Sequence, residues 1–270
     1  MKDRPHNKLL IIELVIAKDI CTMDEFVFNL CGVEEFHSET NSRLRFWFDH
    51  IRDNALKEDG NIFEFGVYQG ASLIAVALIL RELGSKKKVY GFDSFEGFPA
   101  YSHYDELQNF HKYRGKYFNE EFINKHELFL KTKEQVTSLD KFSVSTVSTQ
   151  GEFSNTSYEL IKNKIDFFEL KNVEIIKGSF AETIEKFFSG YNQKISSANI
   201  DCDLYDGYRI CLPFIYDFLF EGGYVHLDEY YSMKFPGAKI ACDNFFKEKN
   251  ITPRKNKVRK GEFERWYFMK

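Results

Sequence analysis

The sequence predicts an open, mostly parallel α/β sheet with helices on both faces, and three observations carry that reading. From Asn61 onward, short apolar strands alternate with stretches of helical length. The first strand runs into a glycine turn at Gly66 and Gly70, and the second ends on an acid, Asp93. The acids Glu64, Asp93, Asp201, Asp203, Asp228 and Glu229 fall at or near strand ends, where sheets of this kind bind their ligands. With 270 residues and 43% hydrophobic content, the chain can form one large domain, or a domain with an appendage, around a sizeable core.

The elements follow in order. Leu9–Ala17 is an apolar helix or strand, Asp24–Leu30 a short helix, and Ser42–Leu56 carries Leu44, Trp47, Phe48, Ile51 and Leu56 at roughly helical period. Residues 1–58 are therefore expected as an N-terminal helical segment, packed on the sheet edge or serving as a cap or oligomer contact, ahead of a domain spanning 59–270. Ile62–Phe65 is the first strand. Leu73–Leu83 is an apolar helix bounded by Ser72 and Gly84, and Val89–Phe92 is the second strand. From 100 to 150 the periodicity fails. That stretch holds Tyr101, His103, Tyr104, Phe110, His111, Tyr113, Tyr117, Phe118 and Phe122, then turns Ser/Thr-rich. It reads as a partly helical, lid-like insertion and acceptor wall, or as a surface insertion whose aromatics pack on each other, with its histidines on the surface. Ser157 opens a helix over Tyr158–Phe168. Val173–Lys177 is a third strand, followed by a helix through Phe188, and Ile195–Ile200 is a fourth. A helix over about Gly207–Phe220 contains Pro213, which should kink it or shift its start. Glu221–Gly223 is a tight turn, Tyr224–Leu227 a fifth strand, Ala238–Lys249 a helix, and the tail with Arg265–Met269 a last strand or pair of strands.

The strand–helix–strand unit from Asn61 to Asp93 suits an adenosine-containing cofactor. Glycines let the backbone approach the ligand, and a strand-end carboxylate can accept both ribose hydroxyl protons. The turn reads E-x-G-x-x-x-G-x-S from Glu64 to Ser72, without the G-x-G pair of a dinucleotide fingerprint. It resembles the first motif of class I S-adenosylmethionine (SAM) methyltransferases.

Longer words sharpen the resemblance. Glu64-Phe-Gly-Val-Tyr-Gln-Gly-Ala-Ser72, Gly91-Phe-Asp-Ser-Phe-Glu-Gly-Phe-Pro99, Gly178-Ser-Phe-Ala-Glu-Thr183, Asp201-Cys-Asp-Leu-Tyr205, Glu221-Gly-Gly-Tyr-Val-His-Leu-Asp-Glu-Tyr230 and Pro236-Gly-Ala-Lys239 stand in one order over about Gly60–Lys249. This resembles the macrocin and mycinamicin sugar O-methyltransferases and the related noviose enzyme. The resemblance implies a class I methyltransferase (Rossmann-like) fold and methyl transfer from SAM to a sugar hydroxyl, assisted by Mg²⁺ or Mn²⁺. On the matching words, Glu64, Gly66 and Ser72 would line the methionine end, Asp93 would hold the ribose and Ser179 would sit near the adenine. Tyr68, Gly70, Ser94, Gly178 and Asp201 complete the implied cofactor-binding set. Asp201, Asp228 and Glu229 would hold the metal, with Asp201 also the catalytic base. The family usually has Asp-Asp where this chain has Asp228-Glu229. The stretches before Gly60 and from Tyr101 to Gln150 match poorly, so the acceptor is not implied.

The acids support a metal independently, because three carboxylates converging on adjacent strand ends repel unless a cation lies among them, and hard oxygen ligands suit Mg²⁺. The bland reading is that some of them cap helices or face water. Two other functions stay open: an O-methyltransferase of a non-sugar small molecule, and a non-catalytic SAM-binding protein whose insertion serves a partner. A net charge of -4 gives no electrostatic basis for nucleic-acid binding. Five cysteines without C-x-x-C spacing point to a reducing compartment, hence the cytoplasm. The Leu9–Ala17 run is too short to span a bilayer, and Glu13 interrupts it as a signal-peptide core. A homo-oligomer, dimer or higher, acting on a small-molecule or glycan acceptor is expected.

Overall fold

The computed structural model describes residues 25–37, 40–137 and 141–270; the expected Leu9–Ala17 segment lies outside them. Seven strands form one sheet: β1 (Asn61–Phe65), β2 (Val89–Asp93), β3 (Val173–Lys177), β4 (Ile195–Ile200), β5 (Leu219–Leu227), β6 (Arg254–Lys255) and β7 (Trp266–Met269). Their order is β3-β2-β1-β4-β5-β7-β6. The first five are parallel, while β7 runs antiparallel to both β5 and β6. The chain reverses direction in the sheet at β1, between β2 and β4, which opens a crevice at the carboxyl ends of those strands.

Both faces are covered, and the strand residues sort accordingly. Phe63 and Phe65 point into a core shared with α8 (Phe180–Gly190), α9 (Tyr205–Phe218) and α10 (Pro236–Lys249). Ile62 points the other way, toward α2 (Arg45–Asn54) and α3 (Ala71–Glu82), with α7 (Tyr158–Phe167) and the short α1 (Glu25–Leu30) beside them. Helix α3 is apolar almost all round and has an unbroken buried run from Ser72 to Leu80, as expected for a helix enclosed by its neighbours. The N-terminal helical layer packs on the sheet: Trp47 is buried and its indole N–H donates to Ser197 Oγ at 2.7 Å. Leu56, expected on the buried face of this helix, lies beyond its end and is exposed.

Two expectations change in detail. Helix α9 starts at Tyr205 rather than about Gly207, ends at Phe218, and holds Pro213 within it. The Glu221–Gly223 turn is absorbed into β5 as an irregularity: the pairing jumps from Ile195 opposite Leu219 to Ser197 opposite Tyr224, with Gly222 at φ 91° in between.

The 100–150 insertion holds α4 (Asn109–Lys112), α5 (Glu120–Thr137) and α6 (Val144–Val147). Phe110, Phe118, Phe122 and Ile123 form a small core with Met233 and Ile240 of the main domain. Asp105 is fully buried and accepts from the backbone N–H groups of Ser102 (2.9 Å) and Tyr205 (2.8 Å), tying the insertion to the first turn of α9. His103 and His111 are exposed as expected. His126 is not: it is buried with Nδ1 2.8 Å from the Met233 carbonyl oxygen. No described helix is long and apolar enough to cross a membrane. The four described cysteines, Cys31, Cys202, Cys211 and Cys242, are free thiols.

Candidate active site

A cavity of about 740 Å³ opens at the carboxyl ends of β1, β2, β4 and β5. The glycine turn forms its floor. Gly66 has φ 93°, and a Cβ there would lie 1.9 Å from the Asp201 carbonyl oxygen, so only glycine lets the ends of β1 and β4 meet this closely. Asp93, at the tip of β2, faces the turn. Its Oδ2 accepts from the backbone N–H groups of Val67 and Tyr68, both at 2.8 Å, and its Oδ1 from that of Phe95 at 2.7 Å. The carboxylate therefore shapes the turn, holding Tyr68 at its left-handed φ of 50°.

Glu64 lies beneath the turn, fully buried. Ser72 Oγ donates to its Oε1 at 2.6 Å and Asn199 Nδ2 does so at 3.1 Å. Burial pushes the Glu64 carboxyl up to about 8 against those hydrogen bonds. On the β3 side, Gly178 donates its N–H to the Asp93 carbonyl at 3.0 Å. Ser179 stands at the N-terminus of α8, its Oγ donating to Glu182 at 2.7 Å.

The acids gather on the opposite side. The Asp201 N–H extends the β1–β4 ladder by donating to Phe65 at 2.8 Å. Tyr208 ties the two strand ends together, its hydroxyl donating to the Ile200 carbonyl and accepting from the Glu229 N–H. Asp201, Asp203 and Glu229 each offer an oxygen within 4.8 Å of the others. Asp203 is buried and in the left-handed region at φ 58°. Arg43 reaches in from the N-terminal segment: Nη2 lies 2.8 Å from Asp201 Oδ2, and Nη1 bonds Asp228 Oδ2. Lys234 Nζ lies 3.4 Å from Glu229 Oε1. Burial raises the Asp201 carboxyl to about 7, against the pull of Arg43. Burial also pushes Asp228 upward, but Arg43, His226 and Arg265 more than cancel that and hold it at about 2.

The family model described as a methyltransferase domain matches residues 63–230, more than half of the chain. This chain belongs to the methyltransferase-domain family. Comparison with curated proteins gives no match. Among solved structures, the methyltransferase is similar to the O-methyltransferase NovP, at 17% identity over 90% of this chain and 98% of that one, with a TM-score of 0.57. It is also similar to the calicheamicin methyltransferase CalS11, at 18% identity over 100% and 94%, TM-score 0.55. Apo CalS11, described as a TDP-rhamnose 3'-O-methyltransferase, matches at 20% identity over 100% and 96%, TM-score 0.51. At such identities the likeness shows the fold, the class I methyltransferase sheet with helices on both faces.

Within the methyltransferase cavity, Gly66, Tyr68, Ser72, Asp93, Ser94, Gly178, Ser179, Asp201, Asp228 and Glu229 all line the wall. Glu64 and Gly70 do not: Glu64 acts from behind through Ser72, and Gly70 packs against Ile161. None of the insertion aromatics named in the sequence faces the cavity. Its aromatic lining comes instead from Phe98, Phe129, Phe153, Phe180 and Phe263, with Tyr68 and Tyr231. The acidic group whose oxygens converge contains Asp203 in place of Asp228, whose Oδ2 is held by Arg43. Asp203 has a sequence signal in the D-x-D spacing from Asp201, whereas Arg43 and Lys234 have none. The donor set suits a hard divalent cation, since the four carboxylates face only Arg43 and Lys234 as direct ion-pair partners among the described residues, apart from the neutral-leaning His226.

Proposed function

We propose that this methyltransferase moves a methyl group from SAM to a hydroxyl oxygen of a small-molecule acceptor, a sugar hydroxyl in the first instance, with a divalent cation at the acidic group. The observation that carries the reading is the meeting of the glycine turn with Asp201, Asp203 and Glu229 across one cavity. The likeness to NovP, an O-methyltransferase, and to CalS11, a TDP-rhamnose 3'-O-methyltransferase, supports the O-methyl and sugar parts of it.

SAM, when bound, supplies an electrophilic methyl on a sulfonium. A cation held by Asp201, Asp203 and Glu229 would lower the cost of deprotonating an alcohol. The chain's own residues do the rest. The Gly66–Ser72 turn, Asp93, Ser94 and Gly178–Ser179 would hold the cofactor, the turn serving its methionine end and Ser179 its adenine. Asp201, between the turn and the other acids, would take the proton from the acceptor hydroxyl as the C–O bond forms and the methyl's bond to sulfur breaks, its electron pair staying on the neutral thioether that leaves. Phe98, Phe129 and Phe153 give the acceptor end flat apolar surface, which suits the apolar faces of a sugar ring, and the 100–150 insertion closes that end against water. Residues 1–58 serve as cap or oligomer contact, and Glu34 and Arg43 in the cavity wall favour the cap.

The test is methyl incorporation from labelled SAM into a panel of nucleotide sugars, glycosides and catechols, with chelator and Mg²⁺ add-back. Label on a sugar hydroxyl that disappears in chelator and returns with Mg²⁺ is the expected result. Label confined to catechols refutes the sugar reading, and an undiminished rate in chelator refutes the metal.

A further inference from the structure

We infer that Arg43 is a built-in competitor for the cation site, holding Asp201 and Asp228 in the metal-free protein and leaving them when a divalent cation binds. The inference rests on the metal reading above. Arg43 makes two contacts at once, Nη2 with Asp201 Oδ2 at 2.8 Å and Nη1 with Asp228 Oδ2. The forked guanidinium thus bridges the ends of β4 and β5. A cation on Asp201 at an ordinary ligand distance of about 2.0–2.6 Å would share the Oδ2 environment with a guanidinium nitrogen. Two positive groups sharing one carboxylate repel strongly where water is scarce, so one displaces the other.

The surroundings permit the exchange. The Asp228 side chain is only 2% exposed and that of Asp201 17%, but the Arg43 side chain is 42% exposed and approaches from the solvent side. Its neighbours are anchored separately. Leu44 is fully buried, and Ser42 donates its Oγ to Glu34 at 2.6 Å and accepts from the Leu44 N–H at 3.0 Å. Arg45 pairs with Glu262 at 2.6 Å. Arg43 can therefore swing by its side chain alone, with the backbone and α2 staying in place. Lys234 pairs with Glu229 and makes no ion pair with Asp201 or Asp228. Release of Arg43 leaves Asp203 and Glu229 facing Asp201, the group whose oxygens converge.

The experiment is a Mn²⁺ titration of the full chain, read by the paramagnetic signal of free Mn²⁺, for wild type, Arg43→Met, Arg43→Lys and Asp203→Asn. Thermal melts with and without Mn²⁺ accompany it. Arg43→Met should bind Mn²⁺ at least tenfold more tightly than wild type, with Arg43→Lys between them because an ammonium cannot bridge two carboxylates in the same way. Asp203→Asn should bind at least tenfold more weakly. Should Arg43→Met fail to fold without metal, the Arg43→Lys titration and its melt decide the question. Equal or weaker binding in the Arg43 variants, with Asp203→Asn still impaired, overturns the competitor role while leaving the metal reading intact. Absence of Mn²⁺ binding in every protein overturns the metal reading, and this inference with it.

Discussion

Replacing Glu64 by glutamine should flatten part of the pH dependence of stability. Glu64 is fully buried under the glycine turn, with Oε1 accepting from Ser72 and Asn199 and Oε2 without a partner among the described residues. Burial is the main reason its carboxyl rises to about 8 from an ordinary 4.5. Nearby Asp201 adds to the rise, while the two hydrogen bonds and Arg43 oppose it. The sign follows from proton binding. Between about 4.5 and 8 the folded state holds a proton that the unfolded state has released, so Glu64 makes stability fall as pH rises through that window. At roughly 1.4 kcal/mol per pH unit, the interval sets a ceiling of roughly 5 kcal/mol, reached only if nothing around the group relaxes. Glutamine keeps the shape and an acceptor for Ser72 but cannot ionise. Urea melts of both proteins at pH 5, 6, 7 and 8.5 measure the effect. The difference in unfolding free energy, wild type minus Glu64→Gln, should drop by about 2 kcal/mol or more from pH 5 to 8.5. A difference that stays constant with pH would refute the claim that Glu64 is buried as a neutral acid.

Gly66→Ala should cost well over the roughly 1–2 kcal/mol of a left-handed alanine, because the added Cβ meets the Asp201 carbonyl oxygen, and denaturant melts will show it. Asp93→Ala should weaken S-adenosylhomocysteine binding by roughly 2–3 kcal/mol in calorimetry, both through the ribose and through a loosened turn; NAD should not compete, and unchanged affinity would remove the residue from the cofactor site. Trp47→Phe should keep the packing but leave Ser197 Oγ without its donor, lowering stability by roughly 1–3 kcal/mol in the same melts, whereas a loss below measurement would mean the indole N–H is incidental.

What the sequence discloses depends on how local the cause is. β3 and β4 are legible to the residue because each is a short run with an abrupt change of residue type after it, Gly178 after Lys177 and the acid Asp201 after Ile200. The glycine turn is legible because positive φ at Gly66 and Gly70 leaves little choice of residue. α5 is poorly legible. Its buried positions, Phe122, Ile123, His126 and Lys133, mix apolar with polar side chains, so hydrophobic period alone does not mark it. His126 and Lys133 are buried because each meets backbone carbonyls, of Met233 and of Thr146 and Val147, which is a tertiary fact.

The acidic group shows the same limit in its charge. A net charge of -4 spread over 270 residues gives no hint that Asp201, Asp203, Asp228 and Glu229 crowd together at two strand ends. That crowding follows from β4 and β5 being parallel neighbours, so their carboxyl ends coincide, and the alternation of strands and helices is enough to expect it. Which cation answers the crowding does not follow from topology. Arg43 stands 158 residues before Asp201 and 185 before Asp228, in a stretch whose only regularity is the helix beginning at Arg45. Nothing in its neighbours Ser42 and Leu44 separates it from a surface arginine. It reaches the acids because Leu44, Trp47 and Phe48 bury α2 against the sheet, which fixes where the residue just ahead of the helix must lie. The apolar period of that helix, legible as packing, is thus also what delivers the guanidinium to the carboxylates.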